Sequence, residues 1–379
     1  MRVLEVLPAV ERFDGSGGAV ATWVREVATR TASTITVAAP VATPLYAQHI
    51  SVFTSRSFIA YSTALRAMAT AVAPLRGITP AYAYRRLLGS DRSWTRKVKS
   101  IAANADILHI HNRPQYAAQV RPANWSGKVL LHMHNDLVEY IDPAKFSWSP
   151  VDGIVFCSEF LRQKALRDFQ DLPRSWVVHN GVSQNSPRQT SVADGIRVAF
   201  AGRLIPEKGA HIAIESVLQA ASEGARISLD IYGGTGSGTD NAQTPYSREL
   251  IKIAEEDGRN RVRFHGPVPY STLQNALTRA HIFLYPAQWE EPFGMVALEA
   301  MAAGAIPVVP RSGALPHVIA EAGIVVDAKI GDARPYIRAL RHLQEQETIS
   351  RLSDLAVRRS SQFGWHRVAS QLDAVLRAL

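Results

Sequence analysis

The sequence is poor in cysteine, with only Cys157 among its 379 residues. A single thiol excludes an intrachain disulfide and is typical of proteins that work in a reducing compartment. The sequence also lacks an apolar run long enough to cross a bilayer as a helix. Its first apolar stretch is very short and contains Glu5, which favours a first strand over a signal peptide. Together these absences predict a cytoplasmic protein.

Net charge is nearly absent from the second half of the chain. The whole chain carries +9, and residues 1–184 hold 21 Lys and Arg against 13 Asp and Glu, so eight of the nine charges lie in the first half. Such asymmetry indicates an anionic partner for that half, such as nucleic acid, acidic lipid or a phosphorylated substrate. A solubilising surplus of charge explains it equally well.

Short apolar strand patterns alternate with helical patterns along both halves. Val3–Leu7 and Ile107–His111 have strand patterns, Ala19–Thr31 has a helical one, and the alternation resumes at Arg197–Ala201. Alternation of this kind predicts parallel sheets with helices on both faces. Two such series predict an α/β protein of two doubly wound, Rossmann-like domains, with ligands bound in a cleft at the carboxyl ends of the strands.

A segment without apolar periodicity separates the two series. Gly181–Gly195 is rich in Ser, Gly, Asn and Pro, which is typical of a linker. We therefore predict a first domain over residues 1–183 and a second over residues 184–361.

Glutamates lie on both sides of a predicted helix start in WEEPFGMVALEAMAAG. Pro292 suits a turn or first helical position, and Gly294 lets the backbone approach a ligand closely. The amides of Gly294, Met295 and Val296 would have no intrahelical acceptor, which makes the helix start a candidate anion site.

The two glutamates in register around this start are Glu291 and Glu299. Because Glu299 lies about 7.5 Å along the helix from Gly294, both carboxylates cannot touch one anion. Each could instead accept hydrogen bonds from hydroxyls on either side of a phosphate linkage, a shape that nucleotide-sugars have. Alternatively, Glu291 is a helix-dipole partner and Glu299 a surface residue. Glu290 is out of register and is interpreted as a solvated neighbour.

Two cations follow the strand RVAFA in the segment GRLIPEKG. Arg203 and Lys208 lie where a parallel sheet would present them to a ligand, and together they could neutralise a diphosphate. A solvated loop with surface charges is the alternative.

Taken together, these motifs resemble the retaining GT-B glycosyltransferases of family four. The family's E-x(7)-E motif matches Glu291 and Glu299, and GRLIPEKG matches its diphosphate loop. HNGV, VFCSEFLRQKAL and FHGPVPYSTLQNAL resemble further family segments. The final FGWHRVASQLDAVLRAL resembles the helix that crosses back to the N-terminal domain, which implies that about residues 362–379 belong to the first domain.

The resemblance implies retaining transfer of a sugar from a UDP- or GDP-linked donor to a hydroxyl acceptor, with no metal or other cofactor. The acceptor would be a lipid-linked or polysaccharide intermediate of bacterial-type cell-surface glycan synthesis, bound by the first domain. The implied catalytic residues are Glu291, His134, Arg203 and Lys208. The implied donor-binding residues are Gly17, Gly18, Arg203, Lys208, Val268, Glu291, Phe293, Gly294, Met295, Val296 and Glu299.

The sequence departs from the family pattern at two places. Ala314 and His317 stand where the family often has Gly and Glu, and NGVSQ lacks the common Asp after the valine. Both departures concern the choice of donor and leave the implied catalytic groups intact.

Other interpretations compete for the first half. GSGGAV resembles a dinucleotide fingerprint, but Val20 stands where Gly or Ala is needed, which disfavours a nicotinamide enzyme. The pairs His109/His111 and His132/His134 each share one face of a strand and could grip a metal, as in a metal-dependent hydrolase. Against this alternative, no matching set of acidic ligands is evident, so we predict no metal site.

Basic and aromatic residues interleave in AYAYRRLLGSDRSWTRKVKS, residues 81–100. This composition suits an anionic membrane surface and so predicts a peripheral association with the inner face of the cell membrane. It suits nucleic acid less well, and we predict no such partner. A non-catalytic protein that binds sugar nucleotides or glycans on the same fold is a further alternative.

Overall fold

The computed structural model describes residues 1–13, 18–42, 50–54, 92–184, 191–235 and 244–379, with the isolated positions 64, 67, 68 and 71. Within these residues the chain divides into two compact units. The N-terminal unit comprises Met1–His179 and Trp365–Leu379, and the C-terminal unit comprises Asn180–Gly364.

Parallel strands form the centre of the N-terminal unit. The strands are β1 (Arg2–Val6), β2 (Arg12–Phe13), β3 (Thr34–Ala38), β4 (Val41–Ala42), β5 (Ser51–Phe53), β6 (Ile107–His111), β7 (Lys128–Met133), β8 (Gly153–Phe156) and β9 (Ser175–Val177). Seven of them make one sheet in the order β5-β3-β1-β6-β7-β8-β9, and β2 pairs with β4. The order reverses between β1 and β6, where doubly wound sheets bind ligands.

Helices cover this sheet because their apolar residues recur at helical spacing. The helices are α1 (Ala19–Ala28), α2 (Arg92–Ala102), α3 (Tyr116–Val120) and α4 (Glu159–Asp168). In α1, Val20, Trp23, Val24 and Val27 are buried, which is the i, i+3, i+4, i+7 stripe of an amphipathic helix. This stripe sets Trp23 against the carboxyl end of β6.

The C-terminal unit repeats the arrangement. Its strands are β10 (Ile196–Ala201), β11 (Ile227–Tyr232), β12 (Val262–Gly266), β13 (Ile282–Leu284), β14 (Ile306–Pro310) and β15 (Ile324–Val326). Its helices are α5 (Ala210–Ser222), α6 (Pro245–Glu256), α7 (Tyr270–Leu277), α8 (Met295–Ala302), α9 (Leu315–Ile319), α10 (Arg334–His342) and α11 (Gln346–Ser360). The strands pair in parallel in the order β12-β11-β10-β13-β14-β15, so the order reverses between β10 and β13. The prediction of two doubly wound parallel sheets is confirmed.

The last helix, α12 (Trp365–Ala378), belongs to the N-terminal unit. Its buried residues Val368 and Leu372 join the same apolar cluster as Trp23. Asp373 accepts a hydrogen bond of 3.0 Å from the Ala32 amide, beyond the end of α1. A core helix therefore comes from the end of the chain, as the family resemblance implied.

Helix α1 is shorter than predicted. The sequence pattern extends to Thr31, whereas the helix ends at Ala28. The hydroxyl of Thr29 donates to the carbonyl oxygens of Arg25 and Glu26 at 3.5 and 3.2 Å, a local bond through which threonine competes with helical pairing.

The basic and aromatic segment is only partly described, because residues 81–91 lie outside the described residues. In α2, the side chain of Trp94 is fully buried and its Nε1 donates to the Leu7 carbonyl oxygen at 3.0 Å. Trp94, one of the aromatic residues of this segment, therefore cannot contribute to a membrane-facing surface. Arg96, Lys97 and Lys99 are exposed. No helix in the described part of the chain combines the length and apolarity needed to span a bilayer.

Candidate active site

The loop after β10 turns sharply and presents Lys208 beside the loop after β13. A short 3₁₀ turn, Pro206–Lys208, ends at Gly209, which has φ of 76°. A Cβ at Gly209 would lie 1.9 Å from the Pro286 carbonyl oxygen, so a larger residue could not pack there. Glycine is therefore required both by the left-handed backbone and by the close approach of the two loops.

Lys208 lies in a polar and aromatic cluster, which we call the lysine cluster and which comprises Lys208, Tyr285, Trp289 and Glu291. Lys208 Nζ donates to Glu291 Oε2 at 2.9 Å and to Tyr285 Oη at 2.8 Å. The same Nζ lies 4.5 Å from the ring centroid of Trp289, within the range of a cation–π contact. Both charged side chains are only 12% exposed, so their charges are paired in a largely water-excluded place.

Tyr285 completes the lysine cluster by donating its hydroxyl to Glu291 Oε2 at 2.8 Å. Burial, together with the negative charge of Glu291, raises the pKa of Tyr285 well above its usual value. The phenol therefore keeps its proton and acts as a donor near neutral pH. The positive charge of Arg203 opposes this shift, which places the exposed Arg203 within electrostatic reach of the cluster.

Glu291 is held by its backbone close to the start of α8. Its carbonyl oxygen accepts from the Ala314 amide at 2.9 Å, and Gly313 packs directly against its backbone. Gly294 caps α8 with φ of 91° and offers no side chain to its first amides. Those amides have no intrahelical acceptor and carry the positive end of the helix dipole. A Cβ at Gly294 would lie 3.7 Å from Glu291 Cγ, so Glu291, the partner of Lys208, also lies beside the start of α8.

Glu299 lies farther along α8, among residues that are otherwise apolar. It is partly exposed, while Ala297, Leu298, Ala300, Met301 and Ala302 are buried. Loss of water around its carboxyl raises the pKa of Glu299 to about 8. This loss of water favours the neutral carboxyl, whereas hydroxyl donors from a ligand would favour its ionised form.

The remaining predicted donor residues differ in their burial and local contacts. Phe293 is buried and packs edge-on against Phe363, with ring centroids 6.0 Å apart. Met295 and Val296 are half-buried in the first turn of α8, and Val268 is half-buried after β12. In the N-terminal unit, Gly17 lies outside the described residues, and the Gly18 amide donates to Glu11 Oε1 at 2.9 Å.

Sequence reasoning did not assign Tyr285, Trp289 or Gly313 to the site. Trp289 and Tyr285 lie within seven residues of Glu291, and this proximity in the sequence could have indicated that they belong to the site. The role of Gly313 depends on packing against a backbone segment that is distant in sequence, and no local pattern reveals it.

His134 lies in a second cluster, in the N-terminal unit, which we call the histidine cluster and which comprises Glu5, His109, His111, His132 and His134. Strand register sets Glu5 beside His109, and His111 beside His132. Trp23 packs on the cluster, with its ring centroid 4.6 Å from that of His132 and 6.0 Å from that of His134. The histidine cluster therefore lies at the point where the strand order reverses.

Ionisation in the histidine cluster is strongly unequal. Burial acts to raise the pKa of Glu5, but His109 and His111 outweigh it, so that this pKa falls to about 2. Burial and the nearby His109 lower the pKa of His111 to about 4, although Glu5 opposes the shift. Burial also lowers the pKa of His132 well below its usual value. The ionised form of Glu5 is thus favoured beside a neutral His111.

The histidine cluster fits a hydrolytic metal poorly. Ligand atoms of His111, His132 and His134 lie within 4.8 Å of one another, as do those of Glu5, His109 and His111. A catalytic zinc keeps one position open to water. His109, His111 and His132 are fully buried, and His111 Nδ1 already forms a hydrogen bond of 3.1 Å with His134 Nε2. This geometry does not favour the metal-dependent hydrolase.

Comparisons with known proteins show similarity to glycosyltransferases. Residues 183–356 match the family model "Glycosyl transferases group 1". The chain is 26% identical to the putative glycosyltransferase YtcC of Bacillus subtilis over 73% of this chain and 74% of that protein. It is also 26% identical to the lipopolysaccharide 1,2-N-acetylglucosaminetransferase of Salmonella typhimurium, over 72% of each.

Solved structures show the same architecture. The crystal structure of Anabaena Alr3699/HepE in complex with UDP and glucose superposes with a TM-score of 0.70 over 100% of both chains, at 19% identity. At this identity the likeness shows the fold, which is GT-B.

Proposed function

Because the chain belongs to the glycosyl transferases group 1 family, we propose that it transfers a sugar from a nucleotide-diphosphate-sugar to a hydroxyl acceptor with retention at the anomeric carbon. The observation that carries this proposal is the contact of 2.9 Å between Lys208 and Glu291 beside the uncapped start of α8. A cation, a helix start and a carboxylate in one place match the alternating charge and hydroxyl groups of such a donor.

The donor diphosphate would bind at the start of α8, held by Lys208, Arg203 and the first helical amides. Glu291 would then accept hydroxyls of the transferred sugar, and Glu299 those of the ribose. Val268 and the segment around it would contact the base, which we propose to be uracil or guanine. The UDP and glucose bound by the Anabaena neighbour support a donor of this class.

The proposed chemistry is electrostatic. Arg203, Lys208 and the α8 amides would stabilise the charge that develops on the departing diphosphate, so no metal or other cofactor is required. Attack on the same face as the leaving group, with the leaving phosphate taking the acceptor proton, would give retention. By the family resemblance, His134 would act near the reacting sugar.

The proposed acceptor is a lipid-linked or polysaccharide intermediate in bacterial-type cell-surface glycan synthesis. The lipopolysaccharide enzyme of Salmonella among the relatives supports this class. We place the enzyme in the cytoplasm, with the acceptor bound by the N-terminal unit.

A nucleotide-sugar screen by thermal shift tests the proposed function. A UDP- or GDP-sugar at about 100 times its Kd should stabilise the protein by about 2.7 kcal/mol and so raise its Tm. The matching control is Lys208→Ala, which should show a clearly smaller shift at the same ligand concentration, about half for a tenfold weaker Kd. Nucleoside diphosphate release that requires an acceptor distinguishes an enzyme from a non-catalytic binder. If no nucleotide-sugar shifts the Tm and none is consumed, the proposal is wrong.

We also propose that the enzyme touches an anionic membrane surface through the exposed cations of α2. With Trp94 buried, charge is the only contribution from this helix, so binding should weaken as salt rises. In co-sedimentation with vesicles containing phosphatidylserine, replacing Arg96, Lys97 and Lys99 by glutamine should reduce binding by about tenfold or more, at about 1 kcal/mol per charge. If the wild type bound neutral vesicles as well as vesicles containing phosphatidylserine, the proposed electrostatic association would be wrong.

A further inference from the structure

The histidine cluster contains a continuous hydrogen-bonded chain from a buried carboxylate to His134. Glu5 Oε2 lies 2.7 Å from His111 Nε2, and His111 Nδ1 lies 3.1 Å from His134 Nε2. Glu5 is 1% exposed, His111 is fully buried and His134 is 7% exposed, so all three side chains in this series of hydrogen bonds are buried. Water therefore has little access to the first two members and cannot easily replace either bond.

The direction of each hydrogen bond follows from elementary chemistry. An ionised carboxylate can only accept, so His111 Nε2 must carry the proton that bonds to Glu5. A neutral imidazole has one N–H, which leaves a lone pair on His111 Nδ1. That lone pair can only accept, so His134 Nε2 must carry the proton in the second bond.

We propose that Glu5, acting through His111, fixes His134 as the tautomer with its proton on Nε2. Glu5 and His111 are positioning residues, and the inference deepens the proposed function, on which the role of His134 at the sugar rests. The fixed tautomer leaves the lone pair of His134 on Nδ1. The ring is thus prepared to accept a hydrogen bond from a hydroxyl group and not to donate one to a phosphate oxygen.

Two other members of the histidine cluster support this series of hydrogen bonds. His109 Nδ1 lies 2.9 Å from Glu5 Oε2 and supplies a second donor that keeps the carboxylate ionised in a buried place. The ring of His132 stacks on that of His134 with centroids 4.1 Å apart, which limits rotation of the reacting ring. Neither residue lies between Glu5 and His134 in the series of hydrogen bonds, so either can be replaced without interrupting that series.

Nitrogen-15 NMR of the full-length protein at pH 7 tests the tautomer without any substrate. The His134 signals, assigned by their loss in His134→Ala, should show a protonated Nε2 and an unprotonated Nδ1. Glu5→Gln keeps the side-chain size but can either donate or accept, so His134 should become a mixture of tautomers. His109→Gln is the matched control, because its side-chain amide can still donate to Glu5 and the hydrogen bonds from Glu5 through His111 to His134 stay intact; His134 should keep its tautomer.

Kinetics test the positioning role separately. Glu5→Gln should lower kcat about tenfold while the KM for the donor, which the C-terminal unit binds, changes less than about twofold. A proton on Nδ1 in the wild type, unchanged turnover in Glu5→Gln, or stoichiometric zinc that is lost in His134→Ala would each overturn the inference. A wild type with the expected tautomer but no transfer activity would instead count against the proposed function alone.

Discussion

Replacing Lys208 by alanine is expected to lower kcat/KM for the nucleotide-sugar by about tenfold or more. The substitution removes a cation from the proposed site of the departing diphosphate. It also leaves Glu291, which is 12% exposed, without its ionic partner, although Tyr285 still donates to it. Steady-state rates with circular dichroism as a check on folding measure the effect.

Glu291→Ala should cause a loss of similar size for the opposite reason. Lys208 would keep its charge, but no carboxylate would accept the hydroxyls of the transferred sugar. Glu290→Ala is the matched control, because Glu290 is the exposed neighbour out of register, and its rate should stay within about twofold of the wild type. Near-normal rates in Lys208→Ala or Glu291→Ala would count heavily against the assigned donor site.

Gly313→Ala is expected to weaken donor binding by about tenfold or more, because it displaces Glu291. A Cβ at Gly313 would lie 2.3 Å from the Glu291 carbonyl oxygen and 2.4 Å from its amide nitrogen, so the backbone of Glu291 must move. With φ of 59°, alanine is also strained, and we expect a total loss of about 1–3 kcal/mol in the free energy of unfolding.

Gly258→Ala separates displacement from strain. Gly258 has φ of 62°, but its Cβ would meet open space, so this variant carries the strain alone. It should lose about 1–2 kcal/mol of stability with unchanged donor affinity. Calorimetric titration with the donor and thermal unfolding measure both quantities. Equal loss of affinity in the two variants would show that the collision with Glu291 is irrelevant.

The sequence was sufficient for the two sheets because their signals are local. Ile306–Pro310, for example, is an apolar run that is buried throughout, as parallel strands require. The predicted start of the helix at Gly294 is also confirmed, since Gly294 caps α8. The burial of Trp94 was not predicted, although Trp94, Val98 and Ala102 follow the four-residue spacing of a buried helical stripe.

The contacts within the sites could not be predicted in the same way. Lys208 and Glu291 are 83 residues apart, and their contact depends on β10 pairing with β13. Glu5 and His109 likewise meet only because β1 lies beside β6. Period-two spacing placed each pair of histidines on one strand face, but strand order decides which carboxylate lies opposite, and a single sequence does not contain that order.

The ion pair of Lys208 with Glu291 has a consequence for selectivity among cellular anions. An incoming inorganic phosphate would compete with Glu291 for Lys208. It would bring no cation to replace Lys208 as the partner of that carboxylate. A nucleotide-sugar brings a diphosphate for Lys208 and hydroxyls for Glu291 at the same time. In the proposed donor site, the internal counter-ion would therefore favour ligands that carry both groups over simple phosphates.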